Sequence, residues 1–253
     1  MSYGKFHRFY DRIMGERSDA AKYIVNLIAD HKPDAKSVLE IACGTGSILG
    51  ILSETYEVTG LDRSRPMLSL ARKKLPHTRF FRQDMTNFRI PQRFDAVVCV
   101  FDSINHLLRF ADWEKTFRCV ARHLDDGGLF IFDVNTLGKL RRLAEGPAWE
   151  KWLGRDLAII KVICGPRGKF VWDVKIFEHQ NRDSYKLIHE DIPEIAFPMG
   201  RIVTSLEGHF EQLKALDPFA AKASDQSERL YFVCKRARAS ARGRLPADAS
   251  QGD

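Results

Sequence analysis

Apolar and polar positions over residues 36–135 follow two alternating periods. Short apolar runs between turn-forming residues predict buried strands, and longer segments with apolar residues at helical spacing predict helices. The strand-like runs are KSVLEIA, YEVTGLD, TRFFRQD, FDAVVCVF and LFIFDVN. The helix-like segments are SDAAKYIVNLIADHKP, SILGILSETY, SRPMLSLARKKL and DWEKTFRCVARHL. This alternation predicts an α/β protein with a doubly wound, mostly parallel sheet, because parallel neighbours need long crossover connections.

The pattern changes after about residue 150. LAIIKVIC, FVWDVKIFEHQ and SYKLIHEDIPEIAF read as antiparallel strands, because the GPRGK and NRD segments between them are typical of hairpin turns. A helix over 199–208 and the closing strands FEQLKAL and ERLYFVCKR then complete a predicted seven-stranded sheet. The predicted divisions are an N-terminal helical cap over 1–35, a core over 36–150, an antiparallel β insertion acting as a lid over 151–197, closing elements over 198–236 and a tail over 237–253.

Two helix starts carry capping residues. Ser64 is a plausible N-cap with Pro66 in the first turn of the helix, and Ser18 or Asp19 is expected to cap the helix that precedes the first strand. Ligands of a sheet of this kind lie at the carboxyl ends of its strands. The residues that follow each strand are therefore the first candidates for a binding site.

Composition narrows the class of protein only a little. The chain has 253 residues, 44% of them apolar and 29% charged, as in ordinary globular proteins. No apolar run reaches the length of a membrane span, and the N-terminus lacks the core of a signal peptide, so a cytoplasmic location is expected. Five cysteines at wide spacing, with no C-x-x-C, predict reduced and mostly buried thiols and no metal site.

The net charge of +7 is concentrated toward the C-terminus. A tail rich in Ala, Ser and Gly carries many of the basic residues and is predicted to be disordered. This basic cluster comprises Lys235, Arg236, Arg238, Arg242 and Arg244. Flexible cationic ends add phosphate affinity that is independent of sequence, so an RNA partner stays open as an alternative.

The stretch VLEIACGTGSILGIL, beginning at Val38, joins the first strand to a helix through a turn of small residues. A dinucleotide site would need G-x-G-x-x-G, in which the third glycine lets the helix pack closely on the strand. Gly44 and Gly46 supply the first pair, but Leu49 stands at the third position. The turn therefore favours a different nucleotide cofactor.

Four features in order resemble the class I S-adenosylmethionine (SAM) methyltransferases, which have a Rossmann-like fold. They are EIACGTG, the acid in VTGLDRS, RQDM, and FDAVVCVFDSINHL before LDDGGLFIFDVN. The resemblance covers about residues 36–135, and it departs from many members at Ala42 and Cys43, where a glycine and another small residue are common. It implies a small-molecule methyltransferase that binds SAM, releases S-adenosylhomocysteine (SAH) and uses no metal.

The resemblance also implies roles for individual residues. Glu40 would pair with the ammonium group of the cofactor, and Asp62 would accept hydrogen bonds from the ribose hydroxyls. The glycine turn and the start of the next helix would hold the carboxylate. The remaining contacts go to the adenine and the methionine portion. The full set of predicted cofactor-binding residues is Tyr10, Glu40, Ala42, Cys43, Gly44, Thr45, Gly46, Asp62, Arg63, Met67, Asp84, Met85 and Phe101.

Each of these residues also has an ordinary structural interpretation. Asp62 is as well suited to cap the helix that follows it, and Asp84 is also typical of a solvated turn. The ordered set of four strand ends, rather than any single residue, favours the cofactor site.

Two residues are candidates for catalysis. Methyl transfer from a sulfonium needs alignment of the nucleophile and exclusion of water, and an amine nucleophile must first lose a proton. A neutral His106, four residues after Asp102, is suited to accept that proton, and Tyr10 is suited to position the acceptor. Packing roles are equally open for both. Some of the side chains on the predicted lid strands, Trp172, Phe177, Tyr185, His189 and Glu190, must face the mouth of the sheet. Core packing is expected for Trp172 and Phe177, and His189 and Glu190 are weaker acceptor-site candidates.

The acceptor is predicted to be a small molecule. Enzymes that methylate exocyclic amines of nucleic acids commonly carry an Asp/Asn-Pro-Pro-Tyr/Phe turn after the fourth strand, whereas this chain has Phe101, Asp102 and Ser103 there. An RNA methyltransferase that uses the basic tail and a non-catalytic SAM-binding scaffold remain as alternatives. No membrane partner is expected, and the sequence leaves monomer and homodimer open.

Overall fold

The computed structural model describes residues 6–236 and contains two sheets. The strands are β1 (Ser37–Ile41), β2 (Glu57–Asp62), β3 (Arg79–Arg82), β4 (Phe94–Cys99), β5 (Leu124–Val134), β6 (Trp149–Leu153), β7 (Asp156–Cys164), β8 (Lys169–Asn181), β9 (Ser184–Ile195), β10 (Phe210–Leu216) and β11 (Leu230–Arg236). The α-helices are α1 (Tyr10–Met14), α2 (Ser18–His31), α3 (Ser47–Leu52), α4 (Arg65–Lys74), α5 (Phe110–His123), α6 (Leu137–Glu145) and α7 (Met199–Glu207). Short 3-10 turns cover Phe6–Arg8, Ser103–His106 and Pro166–Gly168.

The central sheet has seven strands in the order β10-β11-β5-β4-β1-β2-β3. Strand β11 runs antiparallel to both neighbours, and the pairs formed by β1, β2, β3, β4 and β5 are parallel. Strands β4 and β5 are buried on both faces, with one apolar cluster on each side of the sheet. The predicted α/β class with a doubly wound, mostly parallel sheet is confirmed.

The second sheet is antiparallel, in the order β6-β7-β8-β9. Three of its strands were predicted, whereas β6 was missed and the sheet begins at Trp149 rather than at 151. Strand β6 buries only Leu153, so its sequence carries little apolar alternation, and pairing with β7 defines it. Helix α6 was also missed.

The N-terminal segment lies between the two sheets. Phe6, Phe9 and Ile13 pack against apolar residues of β6, β7, β8 and β9. On the other side, the Asp11 carboxylate accepts hydrogen bonds from Thr45 Oγ1 at 2.6 Å and from Lys74 Nζ at 2.6 Å. Helix α1 therefore ties the second sheet to the glycine turn that follows β1.

Several local predictions change with the structure. Ser64 caps α4 by accepting from Met67 N at 3.4 Å, as expected. The expected cap of α2 is wrong, because Arg17 is its N-cap residue and makes no side-chain capping bond, while the Ser18 hydroxyl donates to Glu16 at 2.5 Å. Helix α3 has only six residues and ends at Leu52, because no buried apolar residue continues its face over 53–55.

The basic residues at the C-terminus belong to two different regions. Lys235 and Arg236 belong to β11, within the predicted closing strand ERLYFVCKR, and the Arg236 guanidinium donates to the Leu124 carbonyl. The predicted disordered tail over 237–253 lies outside the described residues. Within residues 6–236 no helix is both long and apolar enough to cross a membrane. All five cysteines are free thiols, and only Cys164 is exposed.

Candidate active site

A cavity of about 660 Å³, including its open mouth, lies across the carboxyl ends of the parallel strands. Residues from α1, from the ends of β1, β2, β3 and β4, and from the following turns surround it. Its lining comprises Tyr10, Ala42, Gly44, Leu61, Asp62, Arg63, Ser64, Met67, Gln83, Met85, Ser103, His106 and Leu107.

The cavity brings together eight of the predicted site residues, and six others do not line it. The eight are Tyr10, Ala42, Gly44, Asp62, Arg63, Met67, Met85 and His106. The six are Glu40, Cys43, Thr45, Gly46, Asp84 and Phe101. Four lining residues, Leu61, Ser64, Gln83 and Leu107, were not predicted as site residues, because their residue types carry no distinguishing chemistry. The lid candidates Trp172, Phe177, Tyr185, His189 and Glu190 do not line the cavity either, and the His189 side chain is paired with Asp173 at 2.8 Å.

The turn after β1 is left-handed at three positions. Ala42, Gly44 and Gly46 have φ values of 55°, 54° and 74°. At Ala42 the side chain makes this conformation costly. Gly44 N donates to Asp62 Oδ2 at 2.9 Å, and the Thr45 hydroxyl is bound to α1 instead of facing the cavity. The turn is therefore held by the protein itself.

Gly46→Ala is expected to lower the free energy of unfolding by about 1–3 kcal/mol, because an alanine would be strained at this φ. Its Cβ would also lie 3.3 Å from Ala71 Cβ. Gly50→Ala is the matched control: it lies in α3, has ordinary contacts at 3.7 Å, and is expected to stabilise by about 0.5–1 kcal/mol. Urea denaturation of both variants measures the difference. Equal changes in the free energy of unfolding for the two variants would show that the left-handed turn does not restrict the residue type at position 46.

Asp62 and Asp84 differ in how tightly they are held. The Asp62 carboxylate accepts from Gly44 N and, at 2.7 Å, from Ser64 N, so it also serves the structural role left open by the sequence. Burial raises the pKa of Asp62 despite these bonds. Asp84 accepts from Thr86 N at 2.9 Å in a turn, and its carboxylate lies 3.6 Å from Arg63. Of these two acids, Asp62 lines the cavity and Asp84 does not.

Glu40 and Arg17 each hold side-chain atoms that lack a hydrogen-bond partner. Glu40 is buried and Arg17 is half-buried. Glu40 Oε2, Arg17 Nε and Arg17 Nη2 are buried and have no hydrogen-bond partner among the described residues. The Arg17 guanidinium lies against the rings of Tyr10 and Phe101, 4.8 and 4.3 Å from their centroids. Burial raises the pKa of Glu40 to about 8, although Arg17 opposes this shift. Buried polar atoms without partners need an explanation, and a bound ligand supplies one.

Arg17 was not predicted as a site residue. Its local sequence, GERSD, indicates only a helix start, and no spacing signal connects it with Glu40. The packing of α1 and α2 over the ends of β1 and β4 brings the two together. Phe101 was predicted to lie beside the cofactor, but its ring lies against the Arg17 guanidinium and does not line the cavity. Its φ of 57° turns the chain sharply after β4.

His106 stands at the other end of the cavity, in the turn after β4. Its Nδ1 lies 3.2 Å from the Pro193 carbonyl oxygen, and its Nε2 lies 3.8 Å from Glu194 Oε1. Because a carbonyl only accepts, this contact places the ring proton on Nδ1 and leaves Nε2 unprotonated in the neutral ring. Burial lowers the pKa of His106, opposed by the nearby Asp102. A neutral histidine with an unprotonated Nε2 is suited to accept a proton.

The strand order and the cavity over the ends of β1 and β2 define the class I SAM-dependent methyltransferases, and comparison with known proteins agrees. A family model described as a methyltransferase domain matches residues 38–128. A protein of Bacillus subtilis (strain 168), named as a methyltransferase, YqeM, is 30% identical over 94% of this chain and 98% of its own length. This chain belongs to the same methyltransferase family, and SAM is its cofactor.

Two further proteins are similar over different lengths. The crystal structure of a SAM-dependent methyltransferase from Clostridium acetobutylicum ATCC 824 is 26% identical and covers 93% of this chain and 99% of its own, with a TM-score of 0.79. A dTDP-3-amino-3,4,6-trideoxy-α-D-glucopyranose N,N-dimethyltransferase from Streptomyces venezuelae is 34% identical over 45% of this chain and 48% of its own length. The first covers both sheets, and the second covers less than half of either chain.

Proposed function

We propose that this methyltransferase transfers a methyl group from SAM to an amino group of a small molecule, with the cofactor's amino acid end held between Glu40 and Arg17. The observation that carries the cofactor placement is that Glu40 Oε2, Arg17 Nε and Arg17 Nη2 are buried without a hydrogen-bond partner among the described residues. SAM carries an α-ammonium and an α-carboxylate on the same carbon. This zwitterion would satisfy Glu40 Oε2 with its ammonium and the Arg17 guanidinium with its carboxylate.

The other residues of the cavity fit the rest of the cofactor. Asp62, fixed by two backbone amides, would accept hydrogen bonds from the ribose hydroxyls. Met67 and Met85 would pack on the adenine, with Gln83 beside them. Cys43, Thr45 and Gly46 would shape the turn instead of touching the ligand. Helix α3 is too short for its N-terminus to replace Arg17 as the carboxylate partner.

When bound, SAM supplies an electrophilic methyl group on a sulfonium. The protein's residues then have two tasks: to orient the acceptor and to remove its proton. His106 Nε2 would take the proton from an ammonium acceptor, and Tyr10, which lines the cavity beside Arg17, would orient it. The second sheet would cover the acceptor and exclude water.

Two observations support an amine acceptor. The Streptomyces venezuelae relative is an N,N-dimethyltransferase by name. A base beside the acceptor is needed for an ammonium nucleophile, and His106 is neutral near physiological pH because burial lowers its pKa. A cytoplasmic location and the absence of a nucleic-acid partner stay predictions.

Transfer of radiolabelled methyl from SAM to paired acceptors tests the proposal. We expect amino sugars and other small amines to be labelled and their hydroxyl analogues to stay unlabelled. His106→Asn is expected to lower kcat by about 10²- to 10⁴-fold, because a positioned base contributes that much, and to leave SAH affinity unchanged. Labelled RNA, or labelled hydroxyl analogues alone, would contradict the amine assignment. No transfer to any acceptor class would favour a SAM-binding scaffold.

A further inference from the structure

The turn that follows β4 is left-handed at two successive residues. Phe101 and Asp102 have φ values of 57° and 51°, and neither residue is a glycine. A side chain makes this backbone conformation costly, so two neighbouring residues keep it only where surrounding contacts hold them. Other parts of the fold must therefore supply the groups that fix this turn.

Arg229, the residue before β11, supplies these contacts. Its Nη2 donates to Asp102 Oδ1 at 2.7 Å, and its Nη1 donates to Oδ2 of Asp133 on β5. Asp133 Oδ1 in turn accepts a hydrogen bond from the backbone N of Asp102 at 2.7 Å. The Arg229 guanidinium also lies 5.6 Å from the centroid of the Phe101 ring. One side chain therefore contacts both left-handed residues and joins them to the neighbouring strand.

The hydrogen bonds of this arrangement are buried and charge-assisted. The side chain of Asp133 is 1% exposed, and those of Arg229 and Asp102 are 17% and 18% exposed. Burial acts to raise the pKa of Asp102, but Arg229, followed by Lys139, outweighs burial and lowers this pKa to about 2. Asp102 is therefore a carboxylate at neutral pH, and the planar guanidinium holds it in a fixed direction.

The turn stands next to two groups of the proposed site. The Arg17 guanidinium lies 4.3 Å from the centroid of the Phe101 ring, so the position of this ring bears on the position of the guanidinium. In the other direction along the chain, the Asp102 carbonyl accepts from Asn105 N at 2.8 Å, within the short 3-10 turn that ends at His106. Displacement of the left-handed turn would therefore reach both ends of the cavity.

We propose that Arg229 is a positioning residue for the cofactor site: it fixes the left-handed turn, and through the Phe101 ring it holds the Arg17 guanidinium where the carboxylate of the cofactor binds. Arg229 does not line the cavity, so its effect passes through the residues that it holds. The inference rests on the proposed function for the ligand group that Arg17 binds. A residue that acts through another has a measurable signature, because its effect disappears once the other residue is removed.

Arg229→Lys is the variant that tests this role. Lysine keeps a positive charge beside the two acids, but its ammonium group lacks the planar fork that bridges them. We expect the affinity for SAH to fall about 5- to 10-fold, because Arg17 keeps its charge and loses its fixed position. The affinity for methylthioadenosine, which lacks the amino acid group, should not change. Arg236→Lys, at the other end of β11 with a side chain that is 22% exposed, is the matched control and should bind both ligands like the wild type.

A double-mutant cycle, measured by calorimetric titration of SAH into the full chain, shows whether Arg229 acts through Arg17. We expect Arg17→Ala/Arg229→Lys to bind SAH with the same affinity as Arg17→Ala. Equal losses from Arg229→Lys in the presence and absence of Arg17 would overturn the proposal, as would an unchanged SAH affinity in Arg229→Lys alone. An equal loss of affinity for SAH and methylthioadenosine would overturn it too, because a general disturbance of the fold has that effect.

Asp133→Asn covers the case in which Arg229→Lys fails to fold. Asparagine has the same size and keeps an oxygen for the backbone N of Asp102, but it loses the charge that binds Arg229. The same selective loss of SAH affinity is expected, again with no further loss in the Arg17→Ala background. Arg17→Ala that binds SAH like the wild type would contradict the proposed cofactor placement and this inference with it. A loss in Arg17→Ala without one in the variants of Arg229 and Asp133 would overturn this inference alone.

Discussion

Arg17→Ala is expected to weaken SAH binding by about 10- to 150-fold, which corresponds to the loss of about 1.5–3 kcal/mol for charge-assisted hydrogen bonds. The positive charge of Arg17 lowers the pKa of Glu40 against the effect of burial, and two of the guanidinium nitrogens are buried without a partner among the described residues. The substitution would remove the partner of the ligand carboxylate and leave Asp62 in place. Isothermal titration calorimetry measures the change.

Two controls separate a lost contact from a disturbed fold. Methylthioadenosine has the adenosine portion of SAH without the amino acid group, so its affinity should be the same for the wild type and Arg17→Ala. Lys22→Ala, at an exposed position of α2, should bind both ligands like the wild type. An equal loss of affinity for SAH and methylthioadenosine would mean that Arg17 acts on the fold and not on the carboxylate.

SAH binding at pH 7 is expected to release close to one proton from Glu40. Burial raises the pKa of this carboxyl to about 8, with Arg17 opposing and Asp62 adding to the shift. Roughly nine-tenths of the molecules therefore hold the proton at pH 7, and an incoming ammonium group needs the carboxylate. Affinity should rise about tenfold from pH 6 to pH 7 and level off above the pKa, since proton release then no longer opposes binding.

Calorimetry in buffers with different ionisation enthalpies measures the released proton directly. In Glu40→Gln we expect no proton release, weaker binding at pH 8 and no dependence on pH over this range. Glu57→Gln, at an exposed position of β2, is the matched control and should keep the wild-type proton release. Proton release that persists in Glu40→Gln would assign the titration to another group.

The sequence predicts the core better than the periphery. The strands β1, β4 and β5 contain short runs of mostly apolar residues, because most of their positions are buried, and the turn after β1 carries glycines at two of its left-handed positions. Residues whose role follows from a strand end, such as Asp62 and Met85, were predicted and line the cavity. Strand β6 was missed because a partly exposed edge strand has no such run.

The acceptor end of the site depends on contacts between distant parts of the chain. Arg17 and Glu40 are adjacent only because α1 and α2 fold over the ends of β1 and β4. Glu194 reaches His106 only through the pairing of β8 with β9, which sets the direction of each side chain. Neither pair has a spacing that a single sequence displays. The proposed cofactor placement depends on side-chain atoms of Glu40 and Arg17 that lack a hydrogen-bond partner among the described residues. Tertiary packing places these atoms, and the local sequence pattern does not reveal them.

A crystal structure of the full chain with SAH bound is the most direct test of the central claim, that the amino acid end of the cofactor lies between Glu40 and Arg17. The account predicts the ligand ammonium within hydrogen-bond distance of Glu40 Oε2, the carboxylate on the Arg17 guanidinium, and the sulfur facing the end of the cavity that holds His106. A complex in which the amino acid group lies elsewhere, with Glu40 Oε2 and Arg17 still unpartnered, would contradict it.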